Sequence, residues 1–321
     1  MSQAQSMTMR DAFFDRLLVA MRQHENIFIV TDDFGAPALD KIRSEFGDRF
    51  INVGIAEQSA VNVATGLAIE GFTTYAFGIA GFMSMRCYEQ IRTNLSMAAQ
   101  VRPLNVNIVG VGAGLSYDLS GPSHHCLEDI TLMRLLPHLE VFSPSDWALA
   151  ARVAERSLHS HRPKYFRLDS KPVTNLYQDG APADLEDGFC ELAQGGDTCV
   201  VATGFMTQVA HRALAQSAGR AGLVDVFAFR PLNEERLFRA LEKYRRVVTV
   251  EEGFLNRGGL DAMIVGLLAR HDARIAVRAM GVNDHYLFEV GNRAHLHQLC
   301  GIDERGILQA IATPAARSGN P

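Results

Sequence analysis

The sequence predicts an α/β protein of two domains, each a mainly parallel sheet with helices on both faces. Three observations carry this. Short β-branched runs alternate with amphipathic stretches of about 10–15 residues, the pattern of βαβ units in a parallel sheet. A chain of 321 residues is too long for one ordinary core, which favours two domains over one large α/β domain. Periodicity also fades between Ser170 and Gly196 and then restarts.

The first half opens with MRDAFFDRLLVAMRQ from Met9, which sets Phe13 or Phe14, Leu17, Leu18 and Met21 on one helical face. Asn26–Val30 (NIFIV) is a β-branched run that stops at TDDFGAP. A helix around Leu39–Phe46, a strand RFINVG, a helix beginning near Glu57 and a strand FTTYAF follow. Then come a helix from Phe82 to Met97, the strand LNVNIVGVG and a short helix from Glu128. The strand LEVFSP, a helix from Asp146 to His159 and the strand KYFRL complete this half.

The stretch after Ser170 is rich in Pro, Gly and Asp and reads as a linker. Beyond it TCVVATG, a helix through QVAHRALAQSAG, GLVDVFAF, a helix from Asn233 to Lys243 and RVVTVEE resume the alternation. A glycine-bearing turn, a helix from Leu260 and the strand RIAVRAMG close it. The expected boundaries are residues 1–170 and 195–313 for the domains, 171–194 for the linker and 314–321 for a frayed tail.

Composition narrows the function. Hydrophobic residues make up 47% and charged residues 21%, which excludes disordered and collagen-like classes. A net charge of −5 with interspersed signs offers nucleic acid no basic stripe. Five scattered cysteines without CxxC or zinc-ligand spacing fit a reducing cytoplasm. No leader-like segment and no long apolar run argue for secretion or membrane insertion.

Glu57 is the unusual residue. Ala56, Ala60, Val63, Ala64, Leu67 and Ala68 around it are spaced for one buried helix face. One reading is a first-turn glutamate facing water and favoured by the helix dipole; the other is a buried carboxylate matched to a ligand. Phe82, Met85 and Tyr88, three residues apart, fit a core stripe or the wall of a pocket. His124 and His125 follow SGPS; adjacent histidines on a regular element cannot share one metal ion, and no third ligand is spaced for it.

The succession GIAEQ, GFMSMRCYEQIR and SGPSHHCLEDITLMR, each leaving a strand and entering a helix, resembles the pyrimidine-binding domain of thiamine-diphosphate enzymes. The resemblance is to the C-terminal half of transketolases. VVTVEEGFLNRGGL is similar to their C-terminal domain, so the likeness runs over nearly the whole chain, and GLSYDLSGPSHHCLEDITLMR is most similar to the small subunits of split transketolases. It implies transfer of a two-carbon ketol unit from a ketose, or ketose phosphate, to an aldehyde.

The resemblance also implies roles. Glu57 would hydrogen-bond a ring nitrogen of the cofactor's aminopyrimidine and favour the imino tautomer that generates the ylid. Phe82, Met85 and Tyr88 would pack on that ring, with Met85 a departure from the family's aromatic residue, and Asp33 would lie near the cofactor. His124 would face the reacting sugar, with His125 characteristic of the split subunits, and Arg10 would contact a substrate phosphate. Ser120 stands where the family has an aspartate, Gly112 where it has a second histidine, and Lys171 beside the place of its phosphate-binding arginine. Ser120 and Lys171 are therefore expected along an altered substrate path, open to an unusual ketose or a 2-oxoacid donor.

The chain contains no GDG, the motif with which this family holds magnesium and the diphosphate. The resemblance thus implies a second, GDG-containing subunit that holds Mg2+, in an α2β2 assembly with the site at the interface. A 2-oxoacid dehydrogenase beta subunit, which shares an IAEQ-type glutamate, and a non-catalytic regulatory subunit are the competing readings.

Overall fold

A computed structural model describes residues 6–177 and 185–313; residues 178–184 of the expected linker and the tail 314–321 lie outside them. The first half runs β1 (Ser6–Thr8), α1 (Met9–Gln23), β2 (Ile27–Thr31), α2 (Pro37–Glu45), β3 (Phe50–Asn52), α3 (Glu57–Ile69) and β4 (Thr73–Ile79). It continues with α4 (Ala80–Met85), α5 (Tyr88–Gln90), β5 (Val106–Val111), α6 (Asp129–Leu135), β6 (Glu140–Phe142), α7 (Trp147–Ser157), β7 (Lys164–Leu168) and β8 (Pro172–Thr174).

Side chains alternate across the strands, and the two faces are buried differently. On one, Tyr75 and Phe77 of β4 and Phe166 of β7 meet Phe13, Phe14 and Leu17 of α1, which packs on α7. On the other, Ala76 and Ile108 meet Ala60, Val61 and Ala64 of α3, whose small side chains let the helix lie close to the sheet. Caps fix the helix starts: Thr8 Oγ1 accepts the Asp11 N–H at 3.0 Å, and Asp146 Oδ1 that of Leu149 at 2.7 Å.

The helix expected over Phe82–Met97 is broken. It bends at Cys87 and passes into a π-helical turn over Ile91–Met97. Cys87, Ile91 and Leu95 are all fully buried, and a spacing of four residues stays on one face in the wider turn better than at 3.6 residues per turn.

The second half comprises β9 (Phe189–Ala193), β10 (Thr198–Ala202), α8 (Phe205–Ala215), β11 (Ala221–Val226), β12 (Ala228–Arg230), α9 (Glu234–Leu241) and β13 (Arg246–Phe254). It closes with α10 (Leu260–Arg270), β14 (Ala276–Val282), α11 (Arg293–Cys300) and α12 (Glu304–Ala312). The last two helices follow clear signals that the strand alternation hides: Asn292 and Asp303 cap their starts, and Gly301 ends α11 at φ 66°.

Two expectations change. Residues 171–194 are no plain connector, since β8 pairs antiparallel with β1, and β9 is the antiparallel edge of the second sheet beside β11. GLVDVFAF is two strands: β11 lies in the five-stranded sheet β14-β13-β10-β11-β9, while β12 joins the other sheet, β12-β6-β7-β5-β4-β2-β3, antiparallel to β6. The chain turns between them at buried Phe227, whose N–H reaches Gly188 O at 3.0 Å. No described helix is long and apolar enough to cross a membrane.

Candidate active site

In the seven-stranded sheet β2 pairs with β3 on one side and β4 on the other, so the chain reverses its winding direction at β2. The crevice outside the carboxyl ends of β2 and β4 is where such sheets bind ligands. Thr31, Asp32 and Asp33 lead into it from β2, and Gly78 and Ile79 from β4. The segment after β3 rises through Gly54, at φ 76°, and delivers Glu57 to the head of α3.

Glu57 is 4% exposed, so it does not face water. Its Oε1 accepts a hydrogen bond from Arg86 Nη1 at 2.9 Å. The Arg86 guanidinium also lies 4.3 Å from the centroid of the Phe82 ring, and the side chain is half exposed. Phe82 in turn meets the His124 ring edge-on with centroids 5.4 Å apart, and Tyr117 meets His124 from another side at 6.4 Å. Arg86 thus links Glu57 to Phe82, and Phe82 links them to His124.

His124 Nδ1 is 3.0 Å from Ser123 Oγ, which leaves Nε2 for another partner. His125 is buried with neither ring nitrogen bonded, and burial pushes its pKa down toward the neutral ring. The position expected for a second histidine is taken sterically: a Cβ on Gly112, at φ 90°, would overlap the Tyr117 ring. Burial pushes the Tyr117 hydroxyl up to about 12, so it stays a neutral donor.

The other expected residues are more scattered. Met85 is 41% exposed. Tyr88 is turned toward the core beyond the bend, and its hydroxyl donates to Leu132 O at 3.0 Å. Asp33, at φ 67°, points out of the crevice and accepts from Asn52 Nδ2 at 2.9 Å. Arg10 lies in the first turn of α1, and its Nε donates to the adjacent Asp11 at 3.0 Å. Ser120 is exposed at the end of a short 3₁₀ turn. Lys171 Nζ donates to Asp118 Oδ1 at 3.1 Å. Burial pushes the Asp118 carboxyl up, but the Arg293 N–H and Lys171 outweigh it and hold the group below its ordinary value.

Sequence reading missed Asp32 and Arg86. Asp32 is 6% exposed, its Oδ1 has no hydrogen-bond partner, and its carboxyl fills the space that a Cβ on Gly78 would need. Burial, and then the charge of Glu57, push it up to about 6. The available signal for Arg86 was its place four residues after Phe82, on the same helical face.

Behind this wall the two domains are tied by buried ions. Arg293 of α11 donates to both oxygens of Glu252, at 2.7 and 2.6 Å, and to Asp169 Oδ2 at 2.6 Å. Burial acts against the Glu252 charge, but Arg293 and His297 hold that carboxyl well below its usual range.

A buried carboxylate, an orphaned carboxyl oxygen and the ring of Phe82 suit a planar heterocycle with ring and exocyclic nitrogens, such as an aminopyrimidine. Among the described residues no group of three or more His, Cys, Asp or Glu is placed to hold a metal ion. The arrangement fits the pyrimidine half of thiamine diphosphate.

Comparison with known proteins agrees with the geometry. Residues 5–174 match the family described as the transketolase pyrimidine binding domain, and residues 190–307 the transketolase C-terminal domain. The chain is 30% identical to a subunit of the apulose-4-phosphate transketolase of Phocaeicola vulgatus over 93% of its own length and 94% of the relative's. It is 29% identical to the 6-deoxy-6-sulfo-D-fructose transketolase subunit SqwH of a Clostridium species, over 94% and 92%. A solved structure described as "Split gene transketolase, inactive beta4 tetramer" superposes with TM-score 0.84 at 29% identity, covering 95% of this chain and 97% of that one. The transketolase of Campylobacter jejuni shares the fold, with TM-score 0.79 at 17% identity, over 97% of this chain and 47% of that one. The chain belongs to the transketolase family and carries its pyrimidine-binding and C-terminal domains, as the subunits of split transketolases do.

Proposed function

We propose that this chain is the pyrimidine-binding subunit of a two-chain transketolase, active with a GDG-containing subunit in an α2β2 assembly. The observation that carries the reading is Glu57, a carboxylate buried at the head of α3 beside the sheet's switch point, within one wall that includes Phe82 and His124. Thiamine diphosphate supplies, when bound, the nucleophilic carbon that takes up the two-carbon ketol unit. The partner subunit holds its diphosphate through Mg2+.

This chain's residues do the rest. Glu57 holds a proton in exchange with a ring nitrogen, in a site from which water is excluded. Phe82 covers one face of the ring, with Met85 and Tyr88 on the same segment and Asp33 at the rim. His124, its Nδ1 engaged by Ser123, moves protons at Nε2 to and from the sugar hydroxyls. His125, Ser120, Lys171 and Arg10 line the substrate path. Both cations are already paired with neighbouring carboxylates, which favours a ketose whose distal group is gripped less tightly than by a free arginine fork.

The relative described as an inactive β4 tetramer supports the need for a second kind of chain. The relatives named as transketolase subunits support ketol transfer over the 2-oxoacid dehydrogenase reading. The test is co-expression with the GDG-containing chain, Mg2+ and thiamine diphosphate, assayed with ketose phosphates, free ketoses and pyruvate as donors. Ketol transfer from a ketose is expected, whereas turnover of pyruvate alone would replace this function with the 2-oxoacid one.

A further inference from the structure

Asp32 is the acid in the crevice that the function above does not use. It lies at the carboxyl end of β2, where the sheet's winding reverses, and its carboxyl packs on Gly78 at the end of β4. The charged and titratable groups around it are few. The charges of Glu57 on α3 and of Asp33 beyond its own strand end disfavour its ionisation, that of Arg86 in the bend after α4 favours it, and its charge in turn bears on the Cys87 thiol. The thiol is pushed up to about 12 by burial and stays neutral, so the local balance is three carboxyls against one guanidinium.

That guanidinium is committed to Glu57, and Asp33 is satisfied by Asn52 at the exposed rim. Asp32 Oδ1 has no donor among the described residues. Two neighbouring carboxyls in a dry crevice cannot both keep their charge, and the one without a counter-ion is the one that takes the proton.

We propose that Asp32 is a positioning residue of the aminopyrimidine site: when the cofactor covers the crevice, Asp32 takes up one proton from solvent, leaving Glu57 as the carboxyl that exchanges a proton with the ring. The proton comes from the buffer and stays on the Asp32 carboxyl; no bond between heavy atoms is made or broken. The inference rests on the thiamine-diphosphate reading above.

Its sign is fixed by linkage. A carboxyl that titrates at about 6 in the uncovered subunit, and higher once covered, makes binding tighten as pH falls. The affinity of the co-expressed complex for thiamine diphosphate, with Mg2+ present, should therefore drop about tenfold per pH unit above pH ~6 until the covered group also ionises.

The experiment is calorimetric titration of thiamine diphosphate into the Mg2+-loaded complex, in buffers of different ionisation enthalpy, from pH 6 to 8. The wild type is expected to take up more protons than Asp32→Asn, the difference rising from about half a proton at pH 6 to about one at pH 8, and its affinity to fall with pH correspondingly more steeply. Asp32→Ala, which removes the carboxyl without adding an amide, should behave alike and serves if the Asn variant does not assemble. Unchanged proton uptake in an assembled variant would overturn the proposal and leave the transketolase reading standing. A wild-type complex that binds no thiamine diphosphate would overturn both.

Discussion

Arg86 donates to Glu57 across 2.9 Å while stacking over Phe82, so one guanidinium engages the acid and the ring to which the aminopyrimidine is assigned. Planar, cationic and rich in N–H donors, it stands where a ligand of similar shape would compete with it. Arg86→Ala should tighten thiamine diphosphate binding by the complex about two- to fivefold, the scale of a partly exposed ion pair. Weaker binding in the same calorimetric titration would show that Arg86 grips the ligand instead of yielding to it.

Glu57→Ala removes the proton-exchanging group. Turnover by the co-expressed pair should fall by a factor of about 10²–10⁴ or more, the range of general acid–base contributions. The melting temperature of the isolated subunit should hold, because a buried charge leaves with the side chain. Near-normal turnover would remove Glu57 from the mechanism.

Arg293 joins Asp169 of the first domain to Glu252 of the second, with all three side chains buried. Arg293→Met removes the guanidinium that lies over Phe205, leaves Asp169 without this ion pair and leaves Glu252 with His297 alone. A loss of about 3–5 kcal/mol is expected in urea unfolding. A change below about 1 kcal/mol, the scale of an exposed pair, would mean that water reaches this cluster.

Asp225 gives a pH signature. Burial pushes it up to about 6, against hydrogen bonds from Ser145, Tyr177 and Thr207 that favour its charge. Between the unfolded value near 4 and about 6 the folded chain binds the extra proton, so this group's contribution is full at low pH and is lost as pH rises through about 6. Urea midpoints compared at pH 5 and pH 7.5 should show the wild type losing stability relative to Asp225→Asn on going to the higher pH. A constant difference would contradict the assignment.

Much of this was legible in the sequence because strand alternation and helix periodicity are local. Most expected strands of the first half match observed ones, and Glu57 stands at the first position of α3. What escaped depends on distant packing or on a single dihedral. In TDDF two acids compete for one crevice, and only the left-handed conformation of Asp33 shows that Asp32 turns inward. The bend at Cys87 follows from burying Cys87, Ile91 and Leu95 against elements far along the chain. The spacing of Phe82, Met85 and Tyr88 assumed a regular helix through that bend.

The excursion of β12 into the first sheet bears on how such chains can be recombined. A chimera cut in the 171–194 segment would bring residues 228–230 from the donor, and with them a foreign strand hydrogen-bonded to β6. Truncation at the same point would bare the β6 edge to pairing with other chains. The smallest exchangeable module is therefore the whole pair of domains, or a graft that moves Ala228–Arg230 together with the sheet they complete.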